Sequence, residues 1–194
     1  KIRKLRYSNI KDIIYSYSDY IDQLAVKLDK LINPLVVTGD DVFLDYDIYA
    51  SFTKTLTHIF RNMIDHGIEY PDVRLESGVK SEAGNICCHV KTEANSFTIE
   101  INDDGAGIDL EKIRNLLKKI NQEDLEFYEI LLSVICKNQS NNPNLLSDEE
   151  ILPLIFYPGF STKNQITDIS GRGIGLSAVK QEIEKLGGSL IVNT

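Results

Sequence analysis

Cysteine is scarce in this chain of 194 residues, and the three present, with Cys87 and Cys88 adjacent, make no disulfide framework. A reduced, cytoplasmic setting is the simpler expectation. Long apolar runs are missing too. None approaches the ~20 residues a membrane helix needs, because Asp, Lys or Pro breaks each candidate, so no direct membrane insertion is expected. The basic start Lys1-Ile2-Arg3-Lys4 leads into polar residues, which is not a secretory signal. The first residue is not Met, and the expectation is a fragment of a longer chain. Positive charge is in deficit: 21 Lys and Arg against 29 Asp and Glu give a formal net charge of -8. General nucleic-acid binding, which draws most of its affinity from a basic stripe, is disfavoured. A small anionic ligand is not, since local amides, a few cations and a metal ion hold phosphate whatever the net sign. Repeats and interdomain linkers are absent. What remains is 42% hydrophobic and 26% charged, close to the soluble average and sufficient for one buried core.

Periodicity organises that material. Ile10, Ile13, Ile14, Tyr17, Ile21, Leu24 and Leu28 recur on one helical face, ending near Asn33-Pro34 because the residue before proline is pushed out of the helical region. Leu35-Val36-Val37 reads as a short strand, with Thr38–Asp41 as its turn. A second helix is predicted from about Asp45 to Ile68. Ile86, Cys88 and Val90, then Phe97, Ile99 and Ile101, alternate with polar residues across the turn Glu93–Ser96, the pattern of a hairpin. Helices are predicted over Leu110–Ile120, Glu123–Cys136, Ile151–Phe156 after the start signal Ser147–Glu150, and Gly173–Leu186 with its stop at Gly187-Gly188. Loops fall at 137–147 and 157–171, and a strand begins at Leu190-Ile191-Val192. The mixture is α/β in order, with a sheet at least partly antiparallel.

Three segments carry chemistry. At about 100° per residue, His58, Arg61, Asn62, Asp65 and His66 of the second helix share an arc of roughly 140°, and Ile59, Phe60, Met63 and Ile64 oppose it. A solvated polar face is the usual meaning of such an arc, yet solvated faces tend to be rich in Lys and Glu. This one offers two imidazoles, an amide, a carboxylate and a guanidinium. Asp103-Asp104-Gly105-Ala106-Gly107 follows the second hairpin strand. It is either an ordinary strand-closing turn or a place where backbone approaches a ligand, with Asp103 able to accept from an exocyclic amine. Gly171-Arg172-Gly173-Ile174-Gly175 opens the last helix, where free amides and the helix dipole suit phosphate; a flexible lead-in loop is the plainer alternative. Lys163, Arg172 and Lys180 are cations able to neutralise phosphates. No GxxxxGK[ST] occurs, and no βαβ unit surrounds the glycines, so neither a P-loop nor a dinucleotide fingerprint fits.

In this order, with a further stretch at 156–162 ahead of the last, the segments resemble the four boxes of the chemotaxis-type (CheA) histidine kinases. His58–Glu69 (HIFRNMIDHGIE) is similar to the N box, Asp103–Asp109 (DDGAGID) to the G1 box, Phe156–Thr162 (FYPGFST) to the F box and Asp168–Leu176 (DISGRGIGL) to the G2 box. The likeness runs from about Leu24 to the C-terminus. It implies a Bergerat-type two-layer α/β sandwich, shared with gyrase, the heat-shock chaperone and the mismatch-repair ATPases, in which a mixed sheet backs one layer of helices and a mobile lid closes over ATP. On that resemblance residues 24–194 are the ATP-binding catalytic domain, lacking its last strand, and residues 1–23 are a helical link from a dimerisation domain. Asp103 would accept from the adenine amine, with Gly105, Gly107 and Ile108 shaping the base pocket. Asn62 would bind Mg²⁺, with His58 beside it as metal ligand or base. Arg61, Asp65 and His66 would line the cleft. Ser161, Thr162 and Lys163 fall in the lid, and Gly171, Arg172, Gly173, Ile174, Gly175 and Leu176 would receive the phosphates.

The activity implied is transfer of the ATP γ-phosphoryl group to a histidine on a separate phosphoacceptor domain, carried by positioning and charge neutralisation. A response regulator, a coupling protein, a receptor assembly and a homodimer formed through a segment outside this sequence are the implied partners. His58 stands where the ATP-hydrolysing relatives have a glutamate base, which weakens a gyrase-like ATPase reading. A nucleotide-gated interaction module without phosphotransfer is the other alternative. The segment 118–147 is longer than the family usual between G1 and F boxes.

Overall fold

The hairpin pattern is realised as a three-stranded sheet. In the structure, a computed structural model describing residues 7–119, 146–157 and 175–194, β2 (Val36–Gly39), β4 (Ile86–Thr92) and β5 (Phe97–Asp103) lie in the order β2-β4-β5. The β2–β4 pair is parallel and the β4–β5 pair antiparallel, with Ile86 opposite Asp103 and Thr92 opposite Phe97. In β4 the side chains of Ile86, Cys88 and Val90 are buried while Cys87, His89 and Lys91 are exposed, as a period of two requires when one face of a sheet is covered. This is the mixed sheet of a two-layer α/β fold.

Helices supply the facing apolar side chains. The long helix α3 (Tyr46–Asn62) is capped by Asp45, whose carboxylate accepts from the amide of Asp47 at 3.1 Å. Its Leu56 and Phe60, with Ile64 one turn further on, are fully buried. Two elements before it were expected as one helix. The chain instead forms α1 (Ile10–Tyr15) and α2 (Ser18–Lys27). Between them Ser16 Oγ donates to the carbonyl of Ile13 at 2.6 Å and Ser18 Oγ to that of Tyr15 at 2.7 Å, side-chain bonds that compete with the helical ladder. The apolar period survives the break: Ile10, Ile14 and Ile21 are all fully buried. A small antiparallel pair that periodicity did not reveal, β1 (Tyr7–Asn9) with β3 (Phe43–Asp45), joins this unit, as does the one-and-a-half-turn helix α4 (Pro71–Glu76), which starts with proline at its first position.

This unit ends at Gly107, and a second begins at Ile108. In the second, α5 (Leu110–Lys119), α6 (Asp148–Ile151) and a 3₁₀ turn (Leu152–Phe156), with Leu146 just ahead of α6, bring Ile113, Leu117, Leu146, Ile151 and Leu154 into one apolar cluster, and α7 (Gly175–Lys185) follows. Ser147 and Glu150 form a capping box at α6, within the stretch expected to start a helix. The expected helix over 151–156 tightens to 3₁₀, where Pro153 has no N–H to give an α-helical ladder. Helix α7 stops with Gly188 N donating to Ile183 O at 2.9 Å and Gly187 N to Glu184 O at 3.0 Å, a Schellman closure at the two glycines. The strand expected from 190 to 192 is not formed: among the described residues no ladder reaches it, and Ile191 is 81% exposed. A strand needs a neighbour to take up its backbone groups. The expected helix over 123–136, most of the 137–147 loop and the loop from 158 onward lie outside the described residues.

Candidate functional site

Helix α3 does not stop at Asn62. It passes into a π-helical turn, Met63–Gly67, closed by Ile68 N donating to Met63 O at 2.7 Å. Such turns insert an extra residue into the helix and are often found at functional sites. Here the turn carries Asp65, His66 and Gly67. Lys30, just after α2 and almost fully buried, anchors it by donating to the carbonyls of Ile64 at 2.5 Å and Asp65 at 2.8 Å. Those carbonyls lie in the widened turn, so the ammonium supplies bonds that a regular helix would have made internally.

The polar arc read from the sequence is present on α3 and the turn. His58, Arg61, Asn62 and Asp65 are half-buried and His66 is exposed. Asn62 Nδ2 donates to the carbonyl of His58 at 2.7 Å, which fixes the amide and leaves its oxygen to act as acceptor or ligand. Burial, with the Arg61 charge, pushes the His58 imidazole below its ordinary pKa, so it is neutral near pH 7. Asp65 Oδ2 and His66 Nε2 lie 3.7 Å apart.

The turn after β5 meets the π-helical turn backbone to backbone. Ala106 N donates to Gly67 O at 2.8 Å. The contact demands glycine at 105, where a Cβ would lie 2.2 Å from Gly67 O, while a Cβ on Gly67 would lie 2.9 Å from Asp103 Oδ1 and displace that carboxylate. Asp103 is half-buried, and its Oδ1 accepts from Gly105 N at 2.9 Å. Among the described residues nothing donates to Oδ2. Burial raises the Asp103 pKa, the charges of Asp104 and Glu69 add to the rise, and the Gly105 amide and Lys80 oppose it. The result is a carboxylate with one oxygen fixed and the other open, set against a glycine-lined wall.

Around this contact lies a group of charges that no periodicity announced. Glu69 accepts from Lys80 at 2.6 Å and from Arg74 at 3.0 Å, and Asp104 Oδ2 accepts from Arg74 at 2.9 Å. Glu69 and Asp104 fall within the N-box and G1-box strings, but Lys30, Arg74 and Lys80 were not singled out; isolated charges at irregular spacing carry no sequence signal. Of the remaining expected site residues, Gly107 ends the first unit with φ +75°. Ile108, Gly175 and Leu176 belong to the second unit, where Ile108 N donates to Thr194 Oγ1 at 2.6 Å and Gly175 and Leu176 open α7. Ser161, Thr162, Lys163, Gly171, Arg172, Gly173 and Ile174 lie outside the described residues. No cluster of three or more His, Cys, Asp or Glu suited to a metal occurs among the described residues. Asn62 has an amide oxygen of the kind Mg²⁺ takes, an ion that draws few ligands from protein and the rest from water and substrate phosphate.

Residues 53–194 match the family described as histidine kinase-, DNA gyrase B- and HSP90-like ATPases. Chemotaxis protein CheA of Borreliella burgdorferi is 38% identical over 193 residues, covering 100% of this chain and 20% of that protein. Chemotaxis protein CheA of Bacillus subtilis is 38% identical over 193 residues, covering 100% of this chain and 26% of that protein. A gliding motility regulatory protein of Myxococcus xanthus is 36% identical over 162 residues, covering 82% of this chain and 18% of that protein. The chain therefore spans about a quarter or less of the length of these relatives.

Proposed function

The chain belongs to the family of histidine kinase-, DNA gyrase B- and HSP90-like ATPases, and on that premise we propose that it is the ATP-binding catalytic domain of a chemotaxis-type protein-histidine kinase. The observation that carries this reading is Asp103: a half-buried carboxylate whose Oδ1 is held by Gly105 N at 2.9 Å while Oδ2 stays open beside Gly67. Such an oxygen accepts the exocyclic amine of adenine. Gly67 and Gly105 keep the wall flat enough for the base to approach. Residues 24–194 form this domain, and residues 1–23 link it to a dimerisation segment.

Substrate then extends along the polar arc. Asn62, through its amide oxygen, and neutral His58 one turn before it would hold Mg²⁺, which would neutralise phosphate charge. Arg61, Asp65 and His66 line the cleft. Resemblance to the histidine kinases assigns Gly171, Arg172, Gly173, Ile174, Gly175 and Leu176 to the phosphates and Ser161, Thr162 and Lys163 to the lid. In the reaction a ring nitrogen of the acceptor histidine attacks the γ-phosphorus with its lone pair. The P–O bond to ADP breaks, and the imidazolium formed gives up its other N–H proton. Alignment and charge neutralisation supply the rate.

The phosphoacceptor domain, a response regulator and a coupling protein with its receptor assembly are the proposed partners, in a cytoplasmic homodimer. Among the described residues no helix is long and apolar enough to cross a membrane. The pathway is chemotaxis or a related motility response, as the names of the relatives suggest. Incubating the chain with a separate phosphoacceptor domain and γ-labelled ATP tests the reading. Label on the acceptor histidine is expected. Tight binding without transfer would instead mark a nucleotide-gated interaction module, and steady phosphate release without acceptor a gyrase-like ATPase.

A further inference from the structure

Arg74 is fully buried on α4, and a guanidinium without water must find partners for its donors within the protein. It finds them on both halves of the candidate site. Nη1 donates to Glu69 Oε2 at 3.0 Å and to the carbonyl of Asp104 at 3.3 Å, and Nη2 donates to Asp104 Oδ2 at 2.9 Å. Nε is taken by the carbonyl of Ser81 at 2.9 Å. Lys80 repeats the bridge at one remove, donating to Glu69 Oε1 at 2.6 Å and to the carbonyl of Gly105 at 2.8 Å. Glu69 lies two residues after Gly67, and Asp104 and Gly105 directly follow Asp103. Two cations thus tie the end of the π-helical turn to the turn that carries the open carboxylate, and they balance two anions while doing so.

We propose that Arg74 and Lys80 are positioning residues for base recognition: they touch no nucleotide, but fix the orientation and the ionised state of Asp103 through Glu69, Asp104 and the Gly105 carbonyl. This rests on the reading of Asp103 as the adenine acceptor. Orientation follows from the turn, because Asp103 Oδ1 is set by Gly105 N and Gly105 O is held by Lys80. Ionisation follows from charge. Glu69 and Asp104 each favour a proton on Asp103, Lys80 disfavours it, and Arg74 is paired with both anions. Removing either cation leaves anions uncompensated beside a carboxylate that must be charged to accept well.

Base selectivity separates this role from a purely structural one. Affinities for ATP and for inosine triphosphate, which has an oxo group in place of the exocyclic amine, are measured by calorimetry across pH 5–8 for the parent chain, Arg74→Lys, Lys80→Ala and Lys80→Arg. The parent is expected to prefer ATP by about tenfold or more, the size of one charge-assisted hydrogen bond. Arg74→Lys, whose single ammonium cannot span the same acceptors, is expected to bring that ratio to within about twofold of unity. Lys80→Ala is expected to reduce the ratio several-fold and to move its loss in acid to higher pH, and Lys80→Arg to restore both. Lys80 is partly exposed, so Lys80→Ala keeps the test open if Arg74→Lys fails to fold. A folded Lys80→Ala that weakens both nucleotides equally, or changes neither the ratio nor its pH profile, overturns the proposal. A parent without preference for ATP overturns the adenine reading itself, and the positioning role with it.

Discussion

Ala106 donates its amide proton to the carbonyl of Gly67 across 2.8 Å, joining the end of the polar helix to the turn after β5 by one backbone hydrogen bond. The two residues are far apart in sequence, and each belongs to a motif that is weak alone. Their contact converts an amphipathic helix and an Asp-Gly turn into adjoining walls of one site. It also explains why both motifs carry glycine where they meet, since side chains at 67 and 105 would collide with Asp103 and with Gly67 itself.

Gly105→Ala is expected to be costly for that reason. The added methyl meets backbone at 2.2 Å, which no rotamer relieves. Overpacking of this kind costs about 1–3 kcal/mol, and at this chain length each kcal/mol lowers Tm by roughly 2–4 °C. A calorimetric melt should show the drop together with weakened ATP binding. An unchanged Tm would mean that the two turns do not press against each other.

Lys30→Met should loosen the π-helical turn. It removes two bonds to the Ile64 and Asp65 carbonyls and leaves them in a largely buried setting. Unsatisfied groups there cost about 1–3 kcal/mol. Urea unfolding should register that loss, and amide exchange at 63–68 should accelerate more than in the β4–β5 ladder. Uniform acceleration everywhere would count against a local anchor.

The carboxylates of the site should pull stability in opposite directions with pH. Burial pushes the Glu69 and Asp104 carboxyls up, but hydrogen bonds and cation pairs outweigh it and hold both below the ordinary value. A group lowered on folding stabilises above its unfolded pKa, and that contribution is lost as pH falls through its folded value. Asp103 is raised, chiefly by burial, so its contribution is present only below its unfolded pKa and is lost as pH rises through the folded one. Asp103→Asn is therefore expected to raise the urea midpoint at neutral pH, with the gain vanishing in acid. Glu69→Gln is expected to lower the midpoint at neutral pH and to flatten the acid limb. Equal shifts at every pH in either variant would contradict the assignment.

Much of this was legible in the sequence, and the reasons differ by element. The alternation of Ile86, Cys88 and Val90 with Cys87, His89 and Lys91 defined β4 because a half-covered sheet imposes a period of two. The His58–His66 arc was visible because a helix imposes its own period on polar residues as well as apolar ones. Ser16 and Ser18 were less visible as a break, since their hydroxyl bonds to Ile13 and Tyr15 interrupt the ladder without disturbing the apolar stripe. The π-helical turn left no trace, because inserting one residue at the end of a helix changes the facing of only the last few side chains. Arg74 and Lys80 were invisible as well. Their partners come from three separate segments, and only the tertiary contact brings those charges together.

The central claim is that Asp103 receives adenine, and calorimetric titration of Mg-ATP into the parent chain and into Asp103→Ala tests it most directly. A charge-assisted hydrogen bond of about 1.5–3 kcal/mol corresponds to a loss of roughly ten- to more than a hundredfold in affinity. The account predicts that loss in a variant that melts as a folded protein. ATP bound equally well by the parent and by folded Asp103→Ala would contradict it.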